Sequence, residues 1–228
     1  MKILGIDTST KFLTIGIFDG LKIYDYRLDL GRGHDIFLIE HTKRILEALG
    51  IKLKDLDYLA VGIGPGSFTG VRIGLATVKG LGLVLKKKTI GISTLDIIAY
   101  NALSLDKAIY ICPLLDARRG FVYATLYKKQ GFSLKRILPY QLINVEDLLK
   151  ITPKGAIFLG DGLNLYKSTI ISLVENSFIL DEEFFWPRGT NIIRLAIERI
   201  KKKNFADLTA LKPIYLYPKE CQIQKLSV

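Results

Sequence analysis

The sequence predicts an α/β fold made of two similar domains. A short apolar strand ends in Asp7 and continues through a polar turn into a second strand, and the same order recurs at Asp116, about half a chain away. Elsewhere, short apolar runs bounded by turn residues alternate with stretches of helical spacing. A unit that recurs at such a distance is typical of a duplicated domain. With 228 residues, 49% of them hydrophobic, the chain is long enough to bury the cores of two domains.

In the first half, turn residues and apolar periodicity locate each element. Residues 8–11 form a polar turn between two strands, which indicates that the chain begins with a hairpin. A later stretch of helical spacing stops at Gly50, a residue type that is common just after helix ends. The predicted strands cover residues 3–7, 12–18, 23–28, 59–63 and 89–92, and the predicted helices cover 34–49, 68–85 and 94–103.

The second half repeats this alternation and ends in a tail. We place the boundary between the halves at residue 104, although no linker rich in proline, glycine or serine marks it. The predicted domains are therefore 1–104 and 105–228. The predicted strands cover residues 109–115, 121–127 and 156–159, the predicted helices cover 145–150, 163–174 and 191–203, and the tail 212–224 is expected to be extended.

The chain is strongly basic, with a formal charge of +11 and a pI near 9.5. Such a surplus attracts anionic partners such as RNA, phosphates or an acidic protein surface, without choosing among them. Two lysine triplets, Lys86–Lys88 and Lys201–Lys203, each close a predicted helix, where cations favourably meet the helix dipole. Helix capping and solubility are one interpretation of the triplets, and contact with RNA is the other.

The apolar segments and the two cysteines of the chain indicate its location and redox state. The apolar start meets Asp7 too early for a signal peptide, and no uninterrupted apolar stretch approaches the length of a membrane span. Cys112 and Cys221 lie far apart without metal-ligand spacing, so we interpret them as reduced thiols. These features predict a cytoplasmic protein.

A glycine-rich turn, GPGSFTG, joins a predicted strand to a predicted helix at Gly64–Gly70. Ser67 or Thr69 can cap that helix, and its free amides could also bind an anion. The turn is not a Walker A motif, because Val71 follows Gly70 where that motif has lysine. We predict a structural corner. Several small residues of the following helix predict close packing against another backbone: Gly70, Gly74, Ala76, Gly80 and Gly82.

Three polar residues at the first turn, Asp7, Thr8 and Ser9, could hold a phosphate or a hydrated metal ion. The same residue types are ordinary in hairpin turns, because their side chains bond to nearby backbone amides. Both interpretations stay open at this point.

The only histidines, His34 and His41, lie on one predicted helix about 10 Å apart along its axis, too far to share a metal ion. The chain also lacks the H-E-x-x-H and G-x-S-x-G motifs. We therefore assign no metal site and no catalytic residue. The helix is expected to place Ile39, Leu46 and Leu49 in the core, and a mixed stripe on another face: His34, Leu38, His41 and Ile45.

Four segments together resemble the TsaB (YeaZ) family: ILGIDTST, GPGSFTGVRIG, LLDARRGFVYATLY and KPIYLYPKECQ. The resemblance spans most of the chain. It implies two duplicated actin-like domains (ASKHA, ribonuclease H-like), each a mixed sheet flanked by helices. It also implies a role in making threonylcarbamoyladenosine, the modified adenosine beside the anticodon of tRNAs that read ANN codons.

The resemblance implies a noncatalytic subunit that binds and activates a TsaD-type transferase, which holds the metal through an H-x-x-x-H pair that this chain lacks. It implies further partners: a TsaE-type ATPase, tRNA through the complex, and a second copy of the chain when it is alone. The family pairs through helices of the first domain, which implies these interface residues: His34, Leu38, His41, Ile45, Thr69 and Arg72.

Nucleotide binding is where the chain departs from actin-like kinases. Two bulky cations, Arg118 and Arg119, follow Asp116 where a second phosphate loop would need small residues. We expect no cofactor of the chain itself, with ATP or ADP and magnesium at a subunit junction as a minor interpretation. The alternative function is a small actin-like ATPase or kinase that uses Asp7 and Asp116. The candidate anion or nucleotide contacts are Asp7, Thr8, Ser9 and Ser67.

Overall fold

Two mixed sheets flanked by helices form the protein in a computed structural model, which describes residues 1–31, 33–106 and 108–217. The helices are α1 (His34–Ala48), α2 (Phe68–Leu85), α3 (Thr94–Ala99), α4 (Val145–Ile151), α5 (Leu163–Leu173) and α6 (Gly189–Lys201). The strands are β1 (Ile3–Asp7), β2 (Phe12–Phe18), β3 (Ile23–Asp29), β4 (Tyr58–Gly62), β5 (Lys88–Ile92), β6 (Tyr110–Arg118), β7 (Phe121–Ala124), β8 (Tyr127–Gln130), β9 (Ser133–Arg136), β10 (Gln141–Asn144), β11 (Ile157–Leu159) and β12 (Phe178–Ile179).

The two sheets share one topology. The strand order is β3-β2-β1-β4-β5 in the first sheet and β10-β7-β6-β11-β12 in the second. In both, the central strand pairs antiparallel with the strand that follows it and parallel with a strand reached through a helical connection. The predicted α/β class and its duplication are confirmed. The second sheet also has an added hairpin, β8 and β9, which pairs with the start of β6.

The first sheet is covered on both faces. Leu4 and Ile6 pack in one core with residues of α1 and α2, whereas Ile3 packs on the opposite face with Ile192 of α6. Because alternate residues of a strand point to opposite faces, a strand covered on both sides is apolar throughout. This explains the continuous apolar runs that predicted β1 and β4.

Helix α6 comes from the second half of the sequence but packs against β1, β2 and β3 of the first sheet. Its Asn191 side chain donates to the Ile97 carbonyl oxygen and to Asn101, so the helix is also tied to the segment around α3. The second sheet has its own core around Phe158 and Trp186. The division of the chain at residue 104 stays a prediction.

Several elements differ from the predicted ones. The single strand predicted over 121–127 is interrupted: β7 ends at Ala124, and β8 begins at Tyr127. Between the two strands, the Thr125 hydroxyl donates to the Leu138 carbonyl oxygen over 2.6 Å, and the Leu126 carbonyl oxygen accepts from the Ile137 amide. The helix predicted to reach 103 ends at Ala99 and continues as a 3₁₀ turn. Three short strands were not predicted, namely β9, β10 and β12. The tail is described only to residue 217, where it forms no ladder, and the rest of the predicted extended segment, with Cys221, lies outside the described residues.

Helix α2 is, among the described residues, the one helix whose length and composition would allow it to cross a membrane. In the structure it packs against β4 of the first sheet. Cys112 is a buried free thiol in the second core, and burial raises its pKa to about 12.

Candidate functional site

A cleft of about 720 Å³ opens between the two halves, where the polar turns after β1 and β11 approach the end of β6. Ligands of open α/β sheets commonly bind outside the carboxyl ends of strands, so this cleft is the first candidate site. Its lining includes Ser9, Ser67, Asp116, Arg118, Arg119, Asp161 and Tyr215.

Asp7 ends β1 but does not line the cleft. Its carboxylate is fully buried and accepts hydrogen bonds from the Ser9 amide at 2.8 Å and the Ser9 hydroxyl at 2.6 Å, and the Thr94 hydroxyl lies 2.9 Å away. Burial raises the pKa of the Asp7 carboxyl against the opposing effect of these bonds. The oxygens of Asp7 are thus turned towards protein donors.

The glycine-rich turn packs directly on the first hairpin turn. The Thr8 hydroxyl donates to the Gly70 carbonyl oxygen over 2.6 Å, and the Ser67 amide donates to the Ser9 carbonyl oxygen over 2.7 Å. A Cβ atom at Gly70 or Gly74 would overlap Thr8. The predicted close packing against another backbone is therefore confirmed for Gly70, whereas Gly74 packs closely against the Thr8 side chain. The turn does form a tight corner between β4 and α2.

Ser67 caps α2 as the sequence indicated, because its hydroxyl accepts a hydrogen bond from the Gly70 amide at 3.2 Å. Of the four candidate anion contacts, Ser9 and Ser67 line the cleft, whereas Asp7 and Thr8 do not. The anion role of these residues stays a prediction.

The second half contributes two carboxylates to the cleft. The Asp116 amide donates to the Asp161 carboxylate over 2.9 Å, and the Asp116 carboxylate accepts from the Arg118 amide at 2.8 Å. Burial raises the pKa of Asp161 to about 6, and the nearby negative charge of Asp116 acts in the same direction. Arg118, the last residue of β6, and Arg119, the first residue of the turn that follows, have φ angles of 65° and 55°, and both residues line the cleft.

Residues 213–217 also line the cleft and connect its two sides. The Ile214 amide donates to the Ile63 carbonyl oxygen over 2.8 Å in the first half, and the Tyr217 hydroxyl donates to the Ala117 carbonyl oxygen over 2.6 Å in the second. Between them, the Tyr215 hydroxyl accepts from Arg72 Nε at 2.7 Å. The sequence predicted an extended tail but gave no signal for this crossing.

The two histidines have separate surroundings. His34 is buried, and its Nε2 lies 2.7 Å from the Thr10 carbonyl oxygen. His41 is half-buried, and its ring packs against Phe37 with centroids 5.9 Å apart. Within the described ranges, no group of three or more His, Cys, Asp or Glu side chains could hold a metal ion.

The structure corrects the predicted faces of α1. Its buried face follows i, i+4 spacing and includes His34 and Leu38, which were predicted to lie at a partner interface. Leu38 is only 1% exposed within the first core, whereas Ile39, predicted to be in the core, is 56% exposed. His34 and Leu38 therefore cannot meet a partner directly in this structure. The remaining interface residues are half-buried or exposed, and their role stays a prediction: His41, Ile45, Thr69 and Arg72.

Helices α1 and α2 pack against each other, and each exposes large apolar side chains to solvent. On α1, Ile36 is 68% exposed; on α2, Leu83 is 65% and Val84 81% exposed. Gly80 of α2 has no neighbouring atom where a Cβ would be placed, so close packing within the chain does not explain this glycine. The exposed positions of Ile36, Leu83 and Val84 were not predicted. For α1, the signal was the i, i+4 stripe of its buried face, which leaves Ile36 and Ile39 outside.

The comparisons with known proteins agree with one another. Residues 29–212 match the family model described as TsaD: tRNA N6-adenosine threonylcarbamoyltransferase. The tRNA threonylcarbamoyladenosine biosynthesis protein TsaB of Bacillus subtilis is 32% identical over 95% of this chain and 94% of its own length. TsaB of Escherichia coli is 27% identical over 95% of this chain and 94% of its own length.

Among solved structures, YeaZ from Pseudomonas aeruginosa superposes with a TM-score of 0.83 at 21% identity, covering 94% of this chain and all of that one. A likeness at this identity concerns the fold. The two-sheet architecture is that of the actin-like, ribonuclease H-like fold, as predicted.

Proposed function

Because the chain belongs to the TsaB (YeaZ) family of tRNA threonylcarbamoyladenosine biosynthesis proteins, we propose that it is a noncatalytic subunit that binds and activates a TsaD-type transferase. Its place in this tRNA modification follows from the family. The noncatalytic and activating character is our inference, and it rests on the outer surface of α1 and α2 and on the surroundings of Asp7.

The observation on which the proposal rests is the apolar outer surface of α1 and α2. Ile36 and Ile39 on α1 and Leu83 and Val84 on α2 are more than half exposed, although the core beneath both helices is well filled. Exposed apolar groups on two helices that pack against each other favour a protein–protein contact. Gly80 adds to this argument, since an exposed glycine inside a helix costs about 1 kcal/mol relative to alanine and permits the close approach of another helix.

The noncatalytic character is supported by the surroundings of Asp7. Its carboxylate accepts three hydrogen bonds from Ser9 and Thr94 and does not line the cleft, so it is poorly placed to bind magnesium. The cleft itself is bordered by Arg118 and Arg119 and crossed by the tail at residues 213–217. These features favour a scaffold over a phosphoryl-transfer enzyme.

The proposal includes further partners. A TsaE-type ATPase would join the assembled pair, tRNA would be bound by the complex, and two copies of the chain would pair through the same helices in the absence of the transferase subunit. All of these would meet in the cytoplasm. The alternative function, an ATPase or kinase that uses Asp7 and Asp116, is favoured only by the size of the cleft, about 720 Å³.

The experiment that tests the proposal uses the purified full chain and the TsaD-type subunit of the same organism. We expect the two to elute together on gel filtration, and we expect threonylcarbamoylation of a tRNA reading ANN codons to be much faster with this chain than without it. Separate elution, or modification of tRNA by this chain alone, would overturn the proposal. Calorimetry with ATP and magnesium tests the alternative, which requires tight binding and turnover that Asp7→Ala abolishes.

A further inference from the structure

The fold brings together the two lysine triplets that lie far apart in the sequence. Helix α2 ends just before Lys86–Lys88, and helix α6 ends at Lys201–Lys203. An antiparallel bridge joins Thr89 to Ala206, and the Ala206 amide donates to the Thr89 carbonyl oxygen over 2.9 Å. Because three residues span at most about 11 Å, the backbones of Lys88 and Lys203 lie within about 20 Å of each other.

This surface, which we call the basic edge, consists of residues 86–88 and 201–203. It lies at the beginning of β5, where Lys88 pairs in register with Tyr58 at the beginning of β4. Lys88 Nζ lies 4.5 Å from the centroid of the Phe205 ring, and that ring stacks on Tyr58 with centroids 5.7 Å apart. A pocket of about 480 Å³ at this edge is lined by Lys86 and Lys88 together with Met1, Asp57 and Tyr58.

Most of the positive charge of the basic edge is not neutralised within the described part of the chain; the nearby carboxylate of Asp57, which lines the same pocket as Lys86 and Lys88, is paired with the amino group of Met1. Five of its lysines are exposed, and none of the six lies within ion-pair distance of a carboxylate there. Exposed lysines elsewhere are of both kinds: Lys43, Lys150 and Lys154 form ion pairs, whereas lysines such as Lys22, Lys128 and Lys167 form none with the described residues. What distinguishes the basic edge is that six lysines are grouped there. Six lysines without acidic partners make a strong local field for an anion.

Stabilisation of the helix ends does not by itself explain why lysines occupy residues 86–88 and 201–203. A helix dipole favours cations in the last turn. However, Lys86 and Lys203 each have a φ of 52°, in the left-handed region where glycine or asparagine is favoured at helix ends. At both positions the chain has a lysine where a glycine would be less strained, which indicates that the charge itself has a use.

We propose that the basic edge binds the phosphate backbone of tRNA; this inference rests on the proposed function. Over about 20 Å, the upper limit of the separation between Lys88 and Lys203, one duplex strand presents about six phosphates at about 3.4 Å per nucleotide, so the six lysines fall on a stretch of at most that many phosphates. The basic edge also follows directly on Leu83 and Val84 of α2, which belong to the proposed partner surface. RNA bound there would lie beside the transferase subunit.

The test measures the affinity of the full chain for a fluorescently labelled transcript of a tRNA reading ANN codons, between about 50 and 200 mM KCl. The variant is Lys86→Gln/Lys88→Gln/Lys202→Gln. The matched control is Lys150→Gln/Lys154→Gln/Lys167→Gln, which removes the same charge from α4, α5 and the loop after α4. We expect the first variant to bind about tenfold or more weakly at about 100 mM KCl, with the salt slope reduced by about 2 to 3, and the control to stay within about twofold of the wild type.

Three results would overturn the inference: equal losses in both variants, no binding of the transcript by the wild type, or tighter binding to phosphatidylserine vesicles than to the transcript. Gel filtration with the TsaD-type subunit separates this inference from the proposed function. If the variant of the basic edge assembles normally and binds tRNA as well as the wild type, only the present inference fails. If the wild type does not assemble, the proposed function fails, whatever the tRNA measurement gives.

Discussion

Thr94 and Asp7 meet in the buried centre of the first half, where the Thr94 hydroxyl lies 2.9 Å from the Asp7 carboxylate. Asp7 ends β1 and Thr94 begins α3, so the pair connects the first hairpin turn to the helix that follows β5. The same hydroxyl lies 2.9 Å from the Ser9 hydroxyl, which itself donates to Asp7. The acidic residue at the end of β1 thus organises packing around the hairpin turn.

The first prediction concerns the removal of this acceptor. Asp7→Ala leaves buried donors of Ser9 and Thr94 without a partner, and each such group costs about 1 to 3 kcal/mol. We expect a loss of about 2 to 4 kcal/mol in the free energy of unfolding, measured by urea denaturation near neutral pH. Asp7→Asn keeps an acceptor for Ser9 and removes a desolvated charge, so we expect it to cost less than about 1 kcal/mol. Equal losses in the two variants would show that the negative charge is itself required.

The second prediction concerns pH. Burial raises the pKa of Asp161 to about 6 from an ordinary value of 3.8, so the folded protein binds this proton more tightly than the unfolded chain. The contribution of Asp161 to stability is therefore greatest below pH 3.8, falls as the pH rises, and is constant above about pH 6. A shift of one pKa unit corresponds to about 1.4 kcal/mol, and solvent contact reduces this value. The contribution of Asp161 to the free energy of unfolding therefore changes by about 2 kcal/mol over this pH range.

Urea denaturation at several pH values compares the wild type with Asp161→Asn, which can still accept from the Asp116 amide. We expect the stability of the variant relative to the wild type to increase between about pH 4 and pH 6 and then to level off. Asp35→Asn changes an exposed carboxylate by the same charge and serves as the control. A pH-independent difference for Asp161→Asn would contradict the prediction.

The third prediction separates the core face of α1 from its outer face. Leu38→Ala opens a cavity in the first core and should cost about 2 to 5 kcal/mol of unfolding free energy. Ile39→Glu changes an exposed neighbour and should change stability by less than about 0.5 kcal/mol. If the outer face binds the transferase subunit, Ile39→Glu weakens assembly on gel filtration about tenfold or more, while circular dichroism stays that of the wild type. Normal assembly of this variant would exclude Ile39 from the interface.

The fold was largely predictable because local patterns and tertiary packing agree. Helix α2 begins and ends at the predicted residues, since a serine cap and an apolar, glycine-containing face are both local signals. The β1–β2 hairpin and the recurrence at Asp116 were also local. Short strands such as β12 were missed, because a strand of two residues is stabilised by its neighbour β11 rather than by its own composition.

The candidate site was less predictable, because it depends on which face a helix buries. A mixed stripe on α1 was predicted to contact a partner, but Leu38 of that stripe packs inward. The polar Thr42 lies on the same buried face, because its hydroxyl donates to the Leu38 carbonyl oxygen over 2.7 Å. Contacts between distant segments, such as Tyr217 with Ala117, leave no trace in local composition. The proximity of the two lysine triplets is likewise a product of topology.

The last prediction compares two glycines of the same helix. A Cβ atom at Gly70 would overlap the Thr8 carbonyl oxygen, so Gly70→Ala must shift the first hairpin turn and should destabilise the chain by about 1 to 3 kcal/mol. Gly80 faces open space in a helical conformation, so Gly80→Ala should stabilise the isolated chain by about 0.5 to 1 kcal/mol. Thermal and urea unfolding of the two variants measure this contrast directly.

Gly80→Ala also tests why an exposed helix position has a glycine at all. If another helix approaches closely there, the added methyl group obstructs it, and the variant should be more stable alone yet assemble more weakly with the TsaD-type subunit. Ala76→Ser, on the exposed side of α2 one turn earlier, adds a comparable volume and shows how far along the helix the close approach extends. A Gly80→Ala chain that gains stability and assembles as tightly as the wild type would leave this glycine without a role in the interface, and would place the contact nearer to Leu83 and Val84.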